Sequence, residues 1–211
     1  DKKNVVVTAS WFTGRVQIID PTNGAVLRDE RSFEAPHGVA MLSDGSIIVA
    51  EASAQKVTQV LPNGERRTIS DGFIFPSGIA VTQDQTVFVT DPGNGTVFSL
   101  DIVSGQLTTI RDDFKRPEGI AVLSEDRLAV VDSAANTVFE LNIVTGDRKP
   151  IATNIDLGLT VNPPQPETWI FNGIAVDRNG VLYLPLDTQT SLIALIPSES
   201  SIPVSLSSAN P

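Results

Sequence analysis

His37 is the one histidine of the chain, and histidine is the side chain whose charge changes near neutrality without help from its surroundings. The segment around it reads as a hairpin folded at Asp44, which sets His37 opposite Glu51 across two strands. A neutral imidazole beside a carboxylate can take a proton near neutral pH, so the pair is a candidate general acid/base. The same construction sets Ser77 opposite Asp91 about a turn at Asp84, and Glu118 opposite Asp132 about a turn at Glu125. Glu118 and Asn172 form a second candidate group, because their oxygens are hard donors of the kind calcium and magnesium collect in number. Each residue also has a plainer reading. His37, Ser77, Glu118 and Asn172 would line the mouth of a solvated channel, with Asp91 and Asp132 beside them and Glu51 as their local variant. Asp91 and Asp132 precede the loops Pro92-Gly93-Asn94-Gly95 and Ser133-Ala134-Ala135-Asn136. A short carboxylate there accepts loop N–H bonds and ties the structure together.

What must position these residues is a repeat. Pro36-His37-Gly38-Val39-Ala40 returns as Pro76-Ser77-Gly78-Ile79-Ala80, as Pro117-Glu118-Gly119-Ile120-Ala121 and as Phe171-Asn172-Gly173-Ile174-Ala175. A period of about 40 residues marks a repeat architecture. Each unit holds four short apolar stretches separated by turn residues, the pattern of antiparallel strands. In the unit opened by Pro36, Asp44-Gly45 and Asn63-Gly64 supply the positive φ that tight hairpins need. Gly24, Gly64, Gly105 and Gly146 recur in the turn between third and fourth strands. The N-terminal unit fits the frame without its first strand. The reading is therefore all-β, one domain over 1–211, with repeats at about 1–35, 36–75, 76–116, 117–170 and 171–211. The stretch 151–170 carries Pro163-Pro164-Gln165-Pro166 and reads as a loop, on the surface or as a lid. Trp169 at its end would anchor that loop or stack on a ligand. Leu186 and Ala9 stand where other units carry the acid, and Asp187 is displaced by one residue, so the acidic ring is incomplete. Arg66-Arg67 and Arg148-Lys149 fall on outer strands, where charge blunts sheet edges.

The bulk properties narrow the function. Net charge is −10 with a pI near 4.5, a field that repels phosphate backbones and disfavours nucleic-acid binding. No apolar run is long enough to span a bilayer. The chain has no cysteine, which leaves the redox compartment open, and a secreted or periplasmic setting is the expectation. Nucleophile-elbow, Walker, dinucleotide-binding and zinc-helix patterns are all missing, and no serine stands out as a partner for His37.

Four-stranded units of this length close radially into a β-propeller. The phrase Pro-x-Gly-Ile/Val-Ala-Val, followed by the turn and a strand ending in Asp or Glu, resembles the repeats of NHL-type and gluconolactonase-like propellers. The virginiamycin B lyase-like and strictosidine-synthase-like proteins belong to the same set. The resemblance implies four-stranded antiparallel blades, six or sometimes seven in relatives, so the five seen here are expected to be part or a variant of such a ring. It also implies an axial divalent ion, Ca2+ or Mg2+, held in the lactonase-like relatives by a glutamate, asparagines and an aspartate. Asn172 resembles one of those asparagines, while the N-terminal glutamate has no counterpart. Lyase-like relatives use a histidine and a glutamate from one blade, as His37 and Glu51 would be, together with a second histidine that is missing here. No organic cofactor is implied. The function expected is a binding or recognition scaffold, taking a protein, peptide, glycan or small molecule at the channel mouth or rim. The alternative is a divalent-metal-dependent lactonase, hydrolase or lyase.

Overall fold

The computed structural model describes residues 4–157, 172–186, 191–197 and 206–208. They build five antiparallel sheets arranged as the blades of a β-propeller, four of them four-stranded and the first three-stranded. Blade 1 holds β1 (Val6–Ser10), β2 (Arg15–Ile19) and β3 (Val26–Glu30). Blade 2 holds β4 (Pro36–Met41), β5 (Ile47–Glu51), β6 (Lys56–Val60) and β7 (Arg66–Ser70). Blade 3 holds β8 (Ile79–Val81), β9 (Val87–Asp91), β10 (Thr96–Leu100) and β11 (Leu107–Arg111). Blade 4 holds β12 (Pro117–Ser124), β13 (Arg127–Asp132), β14 (Thr137–Asn142) and β15 (Arg148–Thr153). Blade 5 holds β16 (Ala175–Val176), β17 (Leu182–Leu186), β18 (Ser191–Leu195) and β19 (Leu206–Ser208). A 3-10 turn, Ser133–Ala135, follows β13. No helix among the described residues is long and apolar enough to cross a membrane.

The alternation of each central strand decides the packing, because successive side chains leave opposite faces of the sheet. In β9, Val87 and Val89 join Ile48 and Val57 of blade 2, while Phe88 joins Leu128 and Val130 of blade 4. Four such clusters link blade 1 to 2, 2 to 3, 3 to 4 and 4 to 5. At the centre β1 packs on β4, β4 on β8, β8 on β12 and β12 on β16. Of the four prolines within the described strands, Pro36 and Pro117 open theirs, and Pro150 and Pro185, inside theirs, obey the same hydrogen-bond logic. Pro150 lies on the outer strand β15. Pro185 lies in β17 beyond the short reach of β16, which pairs only with Leu182 and Tyr183, so neither proline breaks a ladder bond.

Several details depart from the sequence reading. The first residues of the expected proline-rich loop, up to Thr153, belong to β15, with Thr153 paired to Thr137; the proline run, Trp169, Phe171 and Asp187 lie outside the described residues. The blade-1 counterpart of the acidic position is Ser10 and not Ala9, since Ser10 pairs with Arg15 as Glu51 pairs with Lys56. Several outer-strand cations reach across blades, while Lys149 stays exposed on its own blade beside Glu140. Arg28 donates to the Leu61 carbonyl at 2.6 Å, Arg67 to Ile102 at 2.9 Å and Arg111 to Gly146 at 2.8 Å. Arg66 pairs with Glu30 and lies 4.1 Å from the ring centre of Phe33. Arg148 lies 4.6 Å from the rings of Phe114 and Phe139.

Candidate functional site

The repeated phrase contains a β-bulge. In blade 2, Pro36 pairs with Glu51 and Val39 with Val49, so two residues, His37 and Gly38, stand against one. Blade 4 repeats it, with Pro117 on Asp132 and Ile120 on Val130. A bulge shifts the register by one and re-aims the side chain it carries. His37 therefore does not face Glu51, nor Glu118 Asp132; the expected cross-hairpin pairs are each displaced by one position. The bulge turns these side chains towards the next blade.

Gly38 and Gly78 show how close the blades come there. A Cβ on Gly38 would sit 2.1 Å from the Ser77 carbonyl oxygen, and one on Gly78 2.4 Å from that of Glu118. Both are backbone atoms that cannot give way. The phrase thus requires glycine for steric reasons at the propeller centre.

Along this inner seam the sequence-marked residues form a connected row. His37 Nδ1 lies 3.1 Å from Ser77 Oγ. Thr90 Oγ1 accepts from the Gly78 N–H at 2.8 Å and donates to the Glu118 carbonyl at 2.7 Å. Glu118 Oε2 accepts from the Asn172 backbone N–H at 2.9 Å and from its Nδ2 at 3.0 Å. Glu118 Oε1 accepts from Ser133 Oγ at 2.8 Å, with Arg116 Nε at 3.5 Å. Ser77, Glu118 and Asn172 are buried and do not line open solvent, as the sequence reading had them do. Burial pushes the Glu118 carboxyl above its ordinary range, against the pull of the Asn172 and Ser133 hydrogen bonds and of Arg116. Burial likewise lowers His37 to about 4, offset in part by a hydrogen bond to the Ser77 backbone. The imidazole is neutral throughout the physiological range.

The remaining acids serve as straps. Asp91 accepts from the N–H groups of Ile74, Phe75 and Gly93 at 2.7, 2.9 and 3.0 Å. Asp132 does the same for Lys115, Arg116 and Ala135. Glu51 accepts from the Glu34 N–H and the Thr58 hydroxyl, with Lys56 at 3.6 Å. All three carboxylates are buried, and each fastens the segment entering the innermost strand to the end of the second.

A divalent ion fits this arrangement poorly. Both Glu118 oxygens already face N–H or O–H donors, a guanidinium stands beside them, and Asn172 presents Nδ2 to the carboxylate. The Asn172 Oδ1 is buried without a hydrogen-bond partner, a single oxygen where hard cations require several. No three His, Cys, Asp or Glu side chains converge on a metal position among the described residues.

Two side chains at this end escaped the sequence reading. Trp11, in the turn after β1, meets His37 edge-on at 6.1 Å between ring centres and lies against Phe75 at 6.0 Å. It reaches from blade 1 over blade 2 to blade 3. Beside it, Phe12 is 97% exposed. The signal was local: Trp11 occupies the turn position filled by Ala52, Pro92 and Ser133 in the other units, and Phe75 directly precedes the repeat's proline.

No family model matches the sequence, and no curated protein matches it. Among solved structures the fold recurs in a gluconolactonase from Xanthomonas campestris, at TM-score 0.75 and 19% identity over 99% of this chain and 73% of that one. It recurs in virginiamycin B lyase from Staphylococcus aureus, at TM-score 0.68 and 17% identity over 99% of this chain and 67% of the other. The nidogen/laminin complex gives TM-score 0.65 and 17% identity over 91% and 89%. The propeller expected from the repeat is thus a fold shared with both enzymes and binding proteins. The chain spans about two thirds of the lyase's length.

Proposed function

We propose that the chain is a recognition propeller, a scaffold that binds a protein, peptide, glycan or small molecule at the mouth of its centre. One observation carries this reading. Each carboxylate that chemistry would need is buried and occupied by hydrogen-bond donors, while the side chain thrust into solvent at the mouth is the aromatic Phe12, beside Trp11. Large aromatic anchors are what recognition surfaces use most. The nidogen/laminin complex among the structural likenesses agrees with a binding role. Arrays of peptides and glycans probed with the purified chain should yield ligands that Phe12→Ser or Trp11→Ala weakens at least about tenfold. Ligands insensitive to both substitutions would overturn the mouth as the site.

The competing reading is a divalent-metal-dependent lactonase, hydrolase or lyase, favoured by the gluconolactonase and the lyase among the likenesses. Lactone turnover in calcium or magnesium that is lost on both Glu118→Gln and His37→Ala would establish it and displace the recognition reading.

A further inference from the structure

The inner strands have a second end, away from Trp11 and His37. β8 and β12 run from the row of Ser77 and Glu118 to the turns at Asp84 and Glu125, and there a cavity of about 900 Å³ lies between the two blades. One wall is the blade-3 turn, with Thr82, Gln83 and Asp84. The other is the end of β12 and its turn, with Val122, Leu123 and Glu125. Blades 3 and 4 are each packed between two neighbours, so these walls belong to an interior junction of the array. The lining is of two kinds. Val122 and Leu123, both half-buried, give a strip of hydrocarbon. Asp84 and Glu125 add two exposed carboxylates, and among the described residues no lysine or arginine lines the cavity. Asp84 is fixed by the Thr82 hydroxyl and by the N–H and hydroxyl of Thr86, neutral donors that leave its charge uncompensated. The Glu125 carboxylate and the Gln83 amide have no hydrogen-bond partner among the described residues. Arg127, the cation nearest to Glu125 along the chain, is engaged by Asp126 at 3.7 Å and Glu140 at 3.4 Å.

We propose that this cavity binds a small aliphatic amine, with its ammonium groups at Asp84 and Glu125 and its hydrocarbon along Val122 and Leu123. Charge selects a cation, since the two carboxylates face the cavity without a counter-ion and the whole chain carries −10. Size and chemistry select an organic one. The volume is that of a small-molecule site, where an apolar lining carries a few polar groups. A bare metal ion would leave the hydrocarbon strip unused, and two carboxylates fall short of the six or more oxygens that hard cations collect. No three His, Cys, Asp or Glu side chains converge there among the described residues. The Gln83 amide offers a further acceptor to an ammonium N–H. This site is distinct from the aromatic mouth and stands whether or not a partner binds at Phe12.

Isothermal titration calorimetry of the purified chain with spermidine, at physiological ionic strength, tests this. One equivalent should bind. Glu125→Gln, at an exposed side chain with no partner to lose, should weaken binding at least about tenfold with an unchanged circular dichroism spectrum. Asp84→Asn, which keeps an acceptor oxygen in the turn, should weaken it similarly, and Phe12→Ser at the mouth should leave it unaltered. Ammonium and magnesium ions at the same concentration, which lack hydrocarbon, should not displace spermidine. Absence of binding would overturn the proposal. Binding undiminished by Glu125→Gln, or displaced equally well by magnesium, would reduce it to attraction by overall charge and overturn it too.

Discussion

Glu118 and Asn172 are joined twice, by backbone N–H and by side-chain amide, through one carboxylate oxygen at 2.9 and 3.0 Å. The pair ties blade 4 to blade 5 at the propeller centre, the place where a metal or a reacting group would otherwise be held. Removing the carboxylate leaves the two Asn172 donors and the Ser133 hydroxyl buried without partners. Glu118→Ala should therefore cost about 3 kcal/mol, and Glu118→Gln, which keeps an acceptor, clearly less. Urea unfolding measures both, and equal losses would contradict the hydrogen-bond account.

The motif glycines divide by steric environment. Gly78→Ala places a methyl group 2.4 Å from the Glu118 carbonyl oxygen, whereas a Cβ on Gly173 meets nothing within 4 Å. The first should destabilise by about 3 kcal/mol or more, and the second should stay within about 0.5 kcal/mol of the parent. Thermal unfolding of the two variants is the check. Similar losses at both positions would mean that the blades are not locked through glycine.

His37 gives the chain a specific acid response. Its folded-state pKa of about 4 lies below the ordinary 6.5, so the unfolded chain binds the proton more readily. The stability this neutral histidine secures is complete above about pH 6.5 and is lost as pH falls towards 4. The burial is partial, and the effect is on the order of 2 kcal/mol. His37→Gln should flatten the decline of unfolding free energy between those pH values. An unchanged slope would show that His37 is not buried neutral.

The straps carry a stability role. Asp132→Ala frees the N–H groups of Lys115, Arg116 and Ala135 and should cost about 2–3 kcal/mol. Hydrogen exchange should speed up at those amides first. Exchange unaltered there would refute the strap.

The sequence carried the architecture because strands, turns and repeats are local. Asp44-Gly45 and Asn63-Gly64 mark hairpins wherever they fall, and the missing first strand of blade 1 showed as a missing phrase. The structural reading of Asp91 and Asp132 was legible only in part, since Gly93 and Ala135 lie in the loops that follow them, whereas Ile74, Phe75, Lys115 and Arg116 stand 16 or 17 residues earlier. The bulge at His37-Gly38 was not. A hairpin centred on Asp44 looks symmetric in sequence, and one extra residue in β4 moves His37 from Glu51 to Ser77 of the next blade. Trp11 was missed because it acts on residues of two other blades, which no periodicity within blade 1 reports.

Both Glu118 oxygens are taken by the Asn172 and Ser133 donors, which argues for a hydrogen-bonded lock along the inner row rather than a metal centre. Thermal unfolding of the chain across a calcium titration tests it most directly, since a ligand that binds only the folded state adds RT ln(1 + [L]/Kd) to its stability. The expected midpoint does not move up to millimolar calcium, in the parent chain and in Glu118→Gln alike. A midpoint that climbs with calcium in the parent and stays flat in Glu118→Gln would place an ion on Glu118 and contradict it.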